Sequence, residues 1–225
     1  GLTIPVELFL GIFLGILFTE RGVKGKLPLR TLFLIPLMIP PVIIGLNWKM
    51  IFFTEGPLNA LLKSLGIQPQ PWLSSPFGNP YLVLVTLAVL DIWQWTPFIT
   101  LAVISGIESL PREVYEAAWL DGARETQILR HIVLPLIKSV VVAVLLLRLV
   151  DSLKIFDTIY TLTYGGPGFT TTTLPFYIFK TGYTLTATFS GYGYTSLLSI
   201  ILLAIAGVLS MGVMRVIKIE RLVWE

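Results

Sequence analysis

The sequence predicts an all-α integral membrane protein, a multi-span helical bundle, and three observations lead to it. Hydrophobic residues make up 55% of the 225-residue chain and charged residues only 13%, whereas a soluble domain carries about 25% charged residues. Mean hydropathy is +0.83. The apolar residues also lie in long runs, and a bilayer core about 30 Å thick takes roughly 20 helical residues to cross.

The runs are residues 4–18, 31–53, 81–107, 132–164 and 194–217. The last four are long enough to span. The second holds Pro36, Pro40 and Pro41 and the third holds Pro97; such prolines are tolerated in spans because neighbouring helices satisfy the freed carbonyls. The first contains Glu7 and lacks the basic leader and small-residue cleavage site of a signal peptide, so it reads as a span entered partway. No internal repeat or disordered tract interrupts the chain, and residues 1–225 read as a single transmembrane domain.

Loop charge gives an orientation. Arg21, Lys24, Lys26 and Arg30 lie in loop 20–30, Arg112, Arg124, Arg130 and Lys138 in loop 108–138, and Arg215, Lys218 and Arg221 in the tail. The alternate loops, 54–80 and 165–193, hold only Lys63 and Lys180. Eleven basic residues against two, with every loop in agreement, predict a multi-pass inner-membrane protein whose basic loops and C-terminus are cytoplasmic. The same bias accounts for the pI near 9.2 without a nucleic-acid partner.

The external loops read as folded lids. Gly56-Pro57 and Gly66 are turn signals, with a short surface helix expected over 58–65. Gly165-Gly166-Pro167-Gly168 should end the fourth span sharply. There is no cysteine and a single histidine, His131, so neither a disulfide framework nor a histidine-rich metal site is expected.

Loop 108–138 is more than a connector. It reads Leu110-Pro111-Arg112-Glu113-Val114-Tyr115-Glu116-Ala117-Ala118-Trp119-Leu120-Asp121-Gly122-Ala123 and continues to Ile132-Val133-Leu134-Pro135. Ser109 is expected to cap a short helix with Pro111 and Glu113 in its first turn. Ala117 and Ala118 keep that helix thin enough for another protein to approach, and Gly122 lets the chain bend after it. Pro135 marks entry to the next span.

Glu116-Ala117-Ala118, three residues, Gly122, nine residues, then Ile132-Val133-Leu134-Pro135 resembles the EAA motif of bacterial binding-protein-dependent ABC importer permeases. Phe156-Asp157-Thr158-Ile159-Tyr160 and Leu162-Thr163-Tyr164-Gly165-Gly166-Pro167-Gly168 are similar to the segment that follows the motif in carbohydrate permeases of the maltose, trehalose and glycerol-phosphate type. Trp93 and Pro97-Phe98 fit the same pattern. The resemblance implies a type I importer fold in which residues 108–135 form a coupling loop, with Tyr115, Glu116, Ala117, Ala118, Asp121, Gly122 and Ala123 meeting an ATPase. Partners are then a second permease subunit, a cytoplasmic ATPase dimer, an extracytoplasmic solute-binding protein and a carbohydrate solute. Such subunits usually have six spans, which implies one span and its external loop ahead of Gly1. Independently, no G-x-x-x-x-G-K-[ST] phosphate loop occurs. ATP and magnesium are therefore expected on the partner ATPase, with no catalytic residue, metal or cofactor in this chain.

Charges within spans are expensive and mark cavities or partners. Arg148, Asp151, Lys154 and Asp157 recur every three residues, which permits ion pairs along one helix. Asp91, Gln94, Trp95 and Phe98 follow helical spacing in the third span. Together they offer hydrogen-bonding groups beside flat aromatic faces, the two things a sugar needs. The resemblance puts solute contacts at Gln94, Trp95 and Phe98 and at Arg148, Ser152 and Ile155. Asp91 and Asp151 complete the candidate set. Two readings stand for these charges: contact with solute, or mutual neutralisation between helices. Asn47 and Trp48 read as packing residues. The same machinery carrying glycerol phosphate or a polyamine is the nearest alternative; an ion-coupled transporter would leave the EAA loop unexplained. A membrane enzyme would need a converging acid–base or nucleophile set, and none is evident.

Overall fold

The computed structural model describes residues 2–19, 26–73, 79–184 and 189–222. These form α1 (Thr3–Thr19), α2 (Lys26–Met38), α3 (Pro41–Ile51), α4 (Pro57–Ser64), α5 (Pro80–Glu108), α6 (Arg112–Leu120) and α7 (Glu125–Ile128). A π-helical turn over Leu129–Val133 leads to α8 (Leu134–Leu136), α9 (Lys138–Ser152), α10 (Asp157–Leu162), α11 (Leu174–Thr184) and α12 (Phe189–Leu222). The described residues contain no strand, and the protein is an all-α membrane protein.

Apolar length locates the spans well. Among the described residues, Pro80–Glu108 and Tyr192–Gly212 are each long and apolar enough to cross a membrane, matching runs 81–107 and 194–217. Run 4–18 forms α1. Two runs expected to be single spans are broken. Run 31–53 divides into α2 and α3 around Ile39 and Pro40. A residue before proline is pushed to extended backbone, and Pro40 adopts φ −55 and ψ 137 ahead of Pro41, the first residue of α3. Run 132–164 stops at Ser152 and resumes at Asp157. No proline marks this break. The Ile155 carbonyl, freed from the helix, accepts a 2.7 Å bond from the Thr173 hydroxyl. Lys154 and Asp157 therefore do not continue one helical stripe from Arg148 and Asp151.

The chain divides into two compact units, Gly1–Met38 with Ile92–Leu149 and Met211–Glu225, and Ile39–Asp91 with Val150–Ser210. In the first, Ile99, Val103, Ile107, Ala118, Ile128, Val133, Ile137 and Val144 form the core. α1 lies close against α5. A Cβ on Gly11 would sit 2.6 Å from Ile99 Cγ2, and one on Gly15 2.6 Å from Val103 Cγ1. Small residues four apart let helices approach this closely. Glu7 lies four residues before Gly11 on the same buried face. At the other end of α1, Arg30 Nη2 donates to the Phe18 carbonyl at 2.7 Å, while its Nη1 meets Glu108 Oε1 at 2.9 Å. One guanidinium thus joins the ends of α1, α2 and α5.

In the second unit α3 packs on α10. Gly45 faces Thr161 so closely that a Cβ there would lie 2.8 Å from the Thr161 Cβ, and Ile44, Leu90 and Leu162 form the core beside them. Trp48 packs against that core and stacks on Phe52, in line with its reading as a packing residue. The expected surface helix is α4, and it is anchored by a buried side chain. Asn59 donates to the Thr54 and Gln70 carbonyls at 3.0 Å, and accepts from the Gln70 amide and, at 2.9 Å, from Trp72 Nε1. Gly165 and Gly168 have φ of 83 and 59, and the turn between them is stitched by Thr171 and Thr172 hydroxyls to the Gly166 and Gly165 carbonyls.

Arg21, Lys24 and residues 223–225 lie outside the described residues, as do the side chains of Lys26, Lys218 and Arg221. Residues 74–78 and 185–188 of the two opposite loops lie outside them too.

Candidate functional site

Loop 108–138 is built in three steps. α5 ends at Glu108, three residues turn the chain, and α6 begins at Arg112 with Glu113 in its first turn. Ser109 does not cap α6. Its hydroxyl donates back to the Gly106 carbonyl at 2.8 Å, and Pro111 occupies the cap position without a side-chain bond. Proline at that position has no amide hydrogen to lose.

At the far end, the Ala123 amide donates to the Ala118 carbonyl and the Gly122 amide to the Trp119 carbonyl, both at 3.0 Å. This is a Schellman closure, whose residue after the cap must be left-handed. Gly122 has φ 74 there. A Cβ at Gly122 meets nothing within 4 Å in the chain, so its role is conformational and not one of tight packing within the subunit.

The two alanines differ in burial. Ala117 and Glu116 are exposed, whereas Ala118 is buried among Ile99, Val103 and Ile137. Of the two alanines expected to admit a partner, Ala117 is open on the surface and Ala118 binds α6 to its own bundle. Tyr115 and Ala123 are half-buried against the same core, and Asp121 is exposed. Leu120 is 89% exposed, an apolar side chain on a polar loop that sequence reading passed over. Beyond Gly122, α7, the π turn and α8 form one helical rod, Glu125–Leu136, that meets α9 at 57°. His131 is exposed and sits 3.1 Å from the Gln127 carbonyl, and no metal-binding group of acids and histidine occurs among the described residues.

The eight solute-path candidates fall four to each unit. Asp91, Asp151, Ser152 and Ile155 belong to the second unit and are half-buried, with Ser152 and Ile155 at the break after α9. Gln94, Trp95, Phe98 and Arg148 belong to the first. There the Trp95 and Phe98 rings meet edge to face at 6.2 Å. Arg148 Cζ lies 4.8 Å from the Trp95 centroid, and Gln94 is buried beside them on α5.

Arg148 has a partner that its spacing did not suggest. Its Nε donates to Glu7 Oε2 at 2.8 Å and its Nη2 to Glu7 Oε1 at 3.1 Å. Both side chains are fully buried. Spacing along one helix therefore does not account for Arg148 by itself: it is matched from α1. Glu7 is the residue that sequence reading missed. A lone carboxylate in an apolar helix requires a partner, but nothing local to Glu7 says which.

The family described as binding-protein-dependent transport system inner membrane component matches residues 8–218. The trehalose/maltose transport system permease protein MalF of Thermococcus litoralis is 36% identical over 179 residues, covering 79% of this chain and 59% of that protein. The sulfoquinovosyl glycerol transport system permease protein SmoG of Agrobacterium fabrum is 34% identical over 218 residues, covering 96% of this chain and 68% of that one. A bacterial alginate ABC transporter, solved with an alginate pentasaccharide-bound periplasmic protein, shares the fold with a TM-score of 0.79 at 23% identity, over 95% of this chain and 72% of that chain.

Proposed function

The chain belongs to the family of binding-protein-dependent transport system inner membrane components, and from that premise we propose that it forms half of the translocation pathway of an ATP-driven sugar importer. The coupling loop carries the proposal. α6 presents Glu116, Ala117 and Leu120 outward while Ala118 and Tyr115 fix it to the bundle, the arrangement a docking helix needs. A second permease subunit completes the pathway, a cytoplasmic ATPase dimer receives α6, and an extracytoplasmic protein delivers the solute. The membrane orientation follows from the basic loops. It is consistent with Arg30 of α2 and Glu108 at the end of α5, both in stretches whose charge assigns them to the cytoplasm, meeting at 2.9 Å.

Sugar is favoured over an anion such as glycerol phosphate because the Arg148 charge is already neutralised by Glu7. Trp95 and Phe98 offer half-buried aromatic faces, with the neutral amide of Gln94 on the same helix. The named solutes of the two curated relatives, trehalose/maltose and sulfoquinovosyl glycerol, contain sugar rings.

The test reconstitutes the complete transporter in proteoliposomes and measures uptake of maltose, trehalose, lactose, glycerol 3-phosphate and spermidine with ATP inside and outside. Uptake of one of the sugars that depends on ATP at the α6 side is the expected result. Uptake driven by an ion gradient without ATP would overturn the importer assignment, and preference for glycerol 3-phosphate or spermidine would overturn the sugar.

A further inference from the structure

We infer that Glu7 is a positioning residue for the solute path: it fixes the Arg148 guanidinium against one face of the Trp95 indole, so that the ring is held ready to stack on a sugar. The inference rests on the reading of Trp95 as a solute contact.

Arg148 is 1% exposed and cannot reach solute in this conformation. It is instead placed between a carboxylate and an aromatic face. The carboxylate takes two hydrogen bonds in fork geometry, which fixes the plane of a guanidinium as a single bond does not. The indole receives the cation 4.8 Å from its centroid, within the range where the ring quadrupole attracts it. Phe98 meets the indole at an interplanar angle of 89°. Trp95 is thus restrained by a cation and by a ring edge, yet remains half-buried rather than enclosed. Stacking on a sugar favours a ring already held in one orientation, since a freely turning indole would have to give up that freedom on binding.

The position of Glu7 is set by packing. Gly11 and Gly15 bring α1 against Ile99 and Val103, so a carboxylate one turn earlier on the same face is carried to the level of Trp95 on α5. A merely structural ion pair would need the charges to match but not the cation to lie on the Trp95 side.

That difference supplies the test. Sugar transported per ATP hydrolysed is measured in proteoliposomes of the complete transporter, using whichever of maltose, trehalose and lactose the unaltered protein imports fastest. The double variant Glu7→Gln/Arg148→Met removes both charges without leaving one buried alone, and the exchange Glu7→Arg/Arg148→Glu keeps the pair but moves the guanidinium to α1. Both should assemble and hydrolyse ATP, with the sugar-to-ATP ratio reduced about fivefold, as expected when one restraint of this kind is lost. Glu7→Asp should retain most of the ratio. A normal ratio in the exchange or in the neutral double variant would overturn the inference. Trp95→Ala separates the two levels. A reduced ratio in Trp95→Ala with a normal one in the Glu7 variants would remove only the positioning role; a normal ratio in Trp95→Ala would remove the solute contact and the inference together.

Discussion

Glu7 and Arg148, 141 residues apart in sequence, share two hydrogen bonds in a place water does not reach. Breaking such a pair by removing one partner costs about 3–5 kcal/mol, because the other charge stays buried, whereas replacing both is often neutral. Glu7→Ala should therefore lower the midpoint of thermal unfolding of the detergent-solubilised subunit well below that of Glu7→Gln/Arg148→Met. Equal midpoints in the two variants would mean that the pair is hydrated.

Gly11→Val and Gly15→Val should each destabilise the subunit by about 1–3 kcal/mol, the cost of forcing methyl groups into a filled contact. The neighbours, Ile99 and Val103, are β-branched and have little rotamer freedom with which to yield. Gly207→Val is the control, since a Cβ there meets nothing within 4 Å. Thermal aggregation in detergent reads all three, and a Gly11 variant as stable as the Gly207 variant would refute the close α1–α5 contact.

Gly122→Ala should cost about 1–2 kcal/mol through its left-handed backbone alone, with Gly122→Asn milder than Gly122→Val. ATPase retained on the immobilised permease should fall in the order Asn, Ala, Val, while membrane insertion is unchanged. Identical retention for all three would show that α6 closes without the left-handed residue.

Asn59→Ala should loosen the 54–72 segment and nothing else. It orphans the Trp72 indole and the Gln70 amide and carbonyl together; a fully buried orphan costs about 1–3 kcal/mol, and these half-buried ones cost less. Limited proteolysis should cut within 54–72 faster than in the unaltered protein, with the α5 and α12 fragments intact. Unchanged cleavage would mean that α4 holds without its anchor.

Orientation is checked by single cysteines, since the chain has none of its own. A cysteine at Lys63 should label from outside sealed cells and one at Glu116 only after permeabilisation. The reverse pattern would invert the topology.

The helices were legible where length and apolar composition act alone, as in α5 and α12. Breaks were legible only in part. The three prolines of run 31–53 read as tolerable within one span, and their chemistry alone did not say that α2 would end before Ile39. The break after Ser152 has no local signal, because the bond that stabilises it comes from Thr173, eighteen residues beyond the Ile155 carbonyl that accepts it. The EAA loop was recognisable as a motif. The division of labour between Ala117 and Ala118 was not, since it depends on the rotational phase of a nine-residue helix against Val103 and Ile137. Glu7 was visible as an oddity and Arg148 as a charge, yet only the fold joins them.

Arg30 also bears on how motion spreads. Its guanidinium holds the Phe18 carbonyl and the Glu108 carboxylate, and Glu108 is the last residue of the helix that leads into α6. Ala118 is embedded in the core on one side and Arg30 ties the helix ends on the other, so α6 is attached through its own bundle and not hung from it. A push on it is expected to reach α1, α2 and α5 together, as a handle bolted to a plate moves the plate.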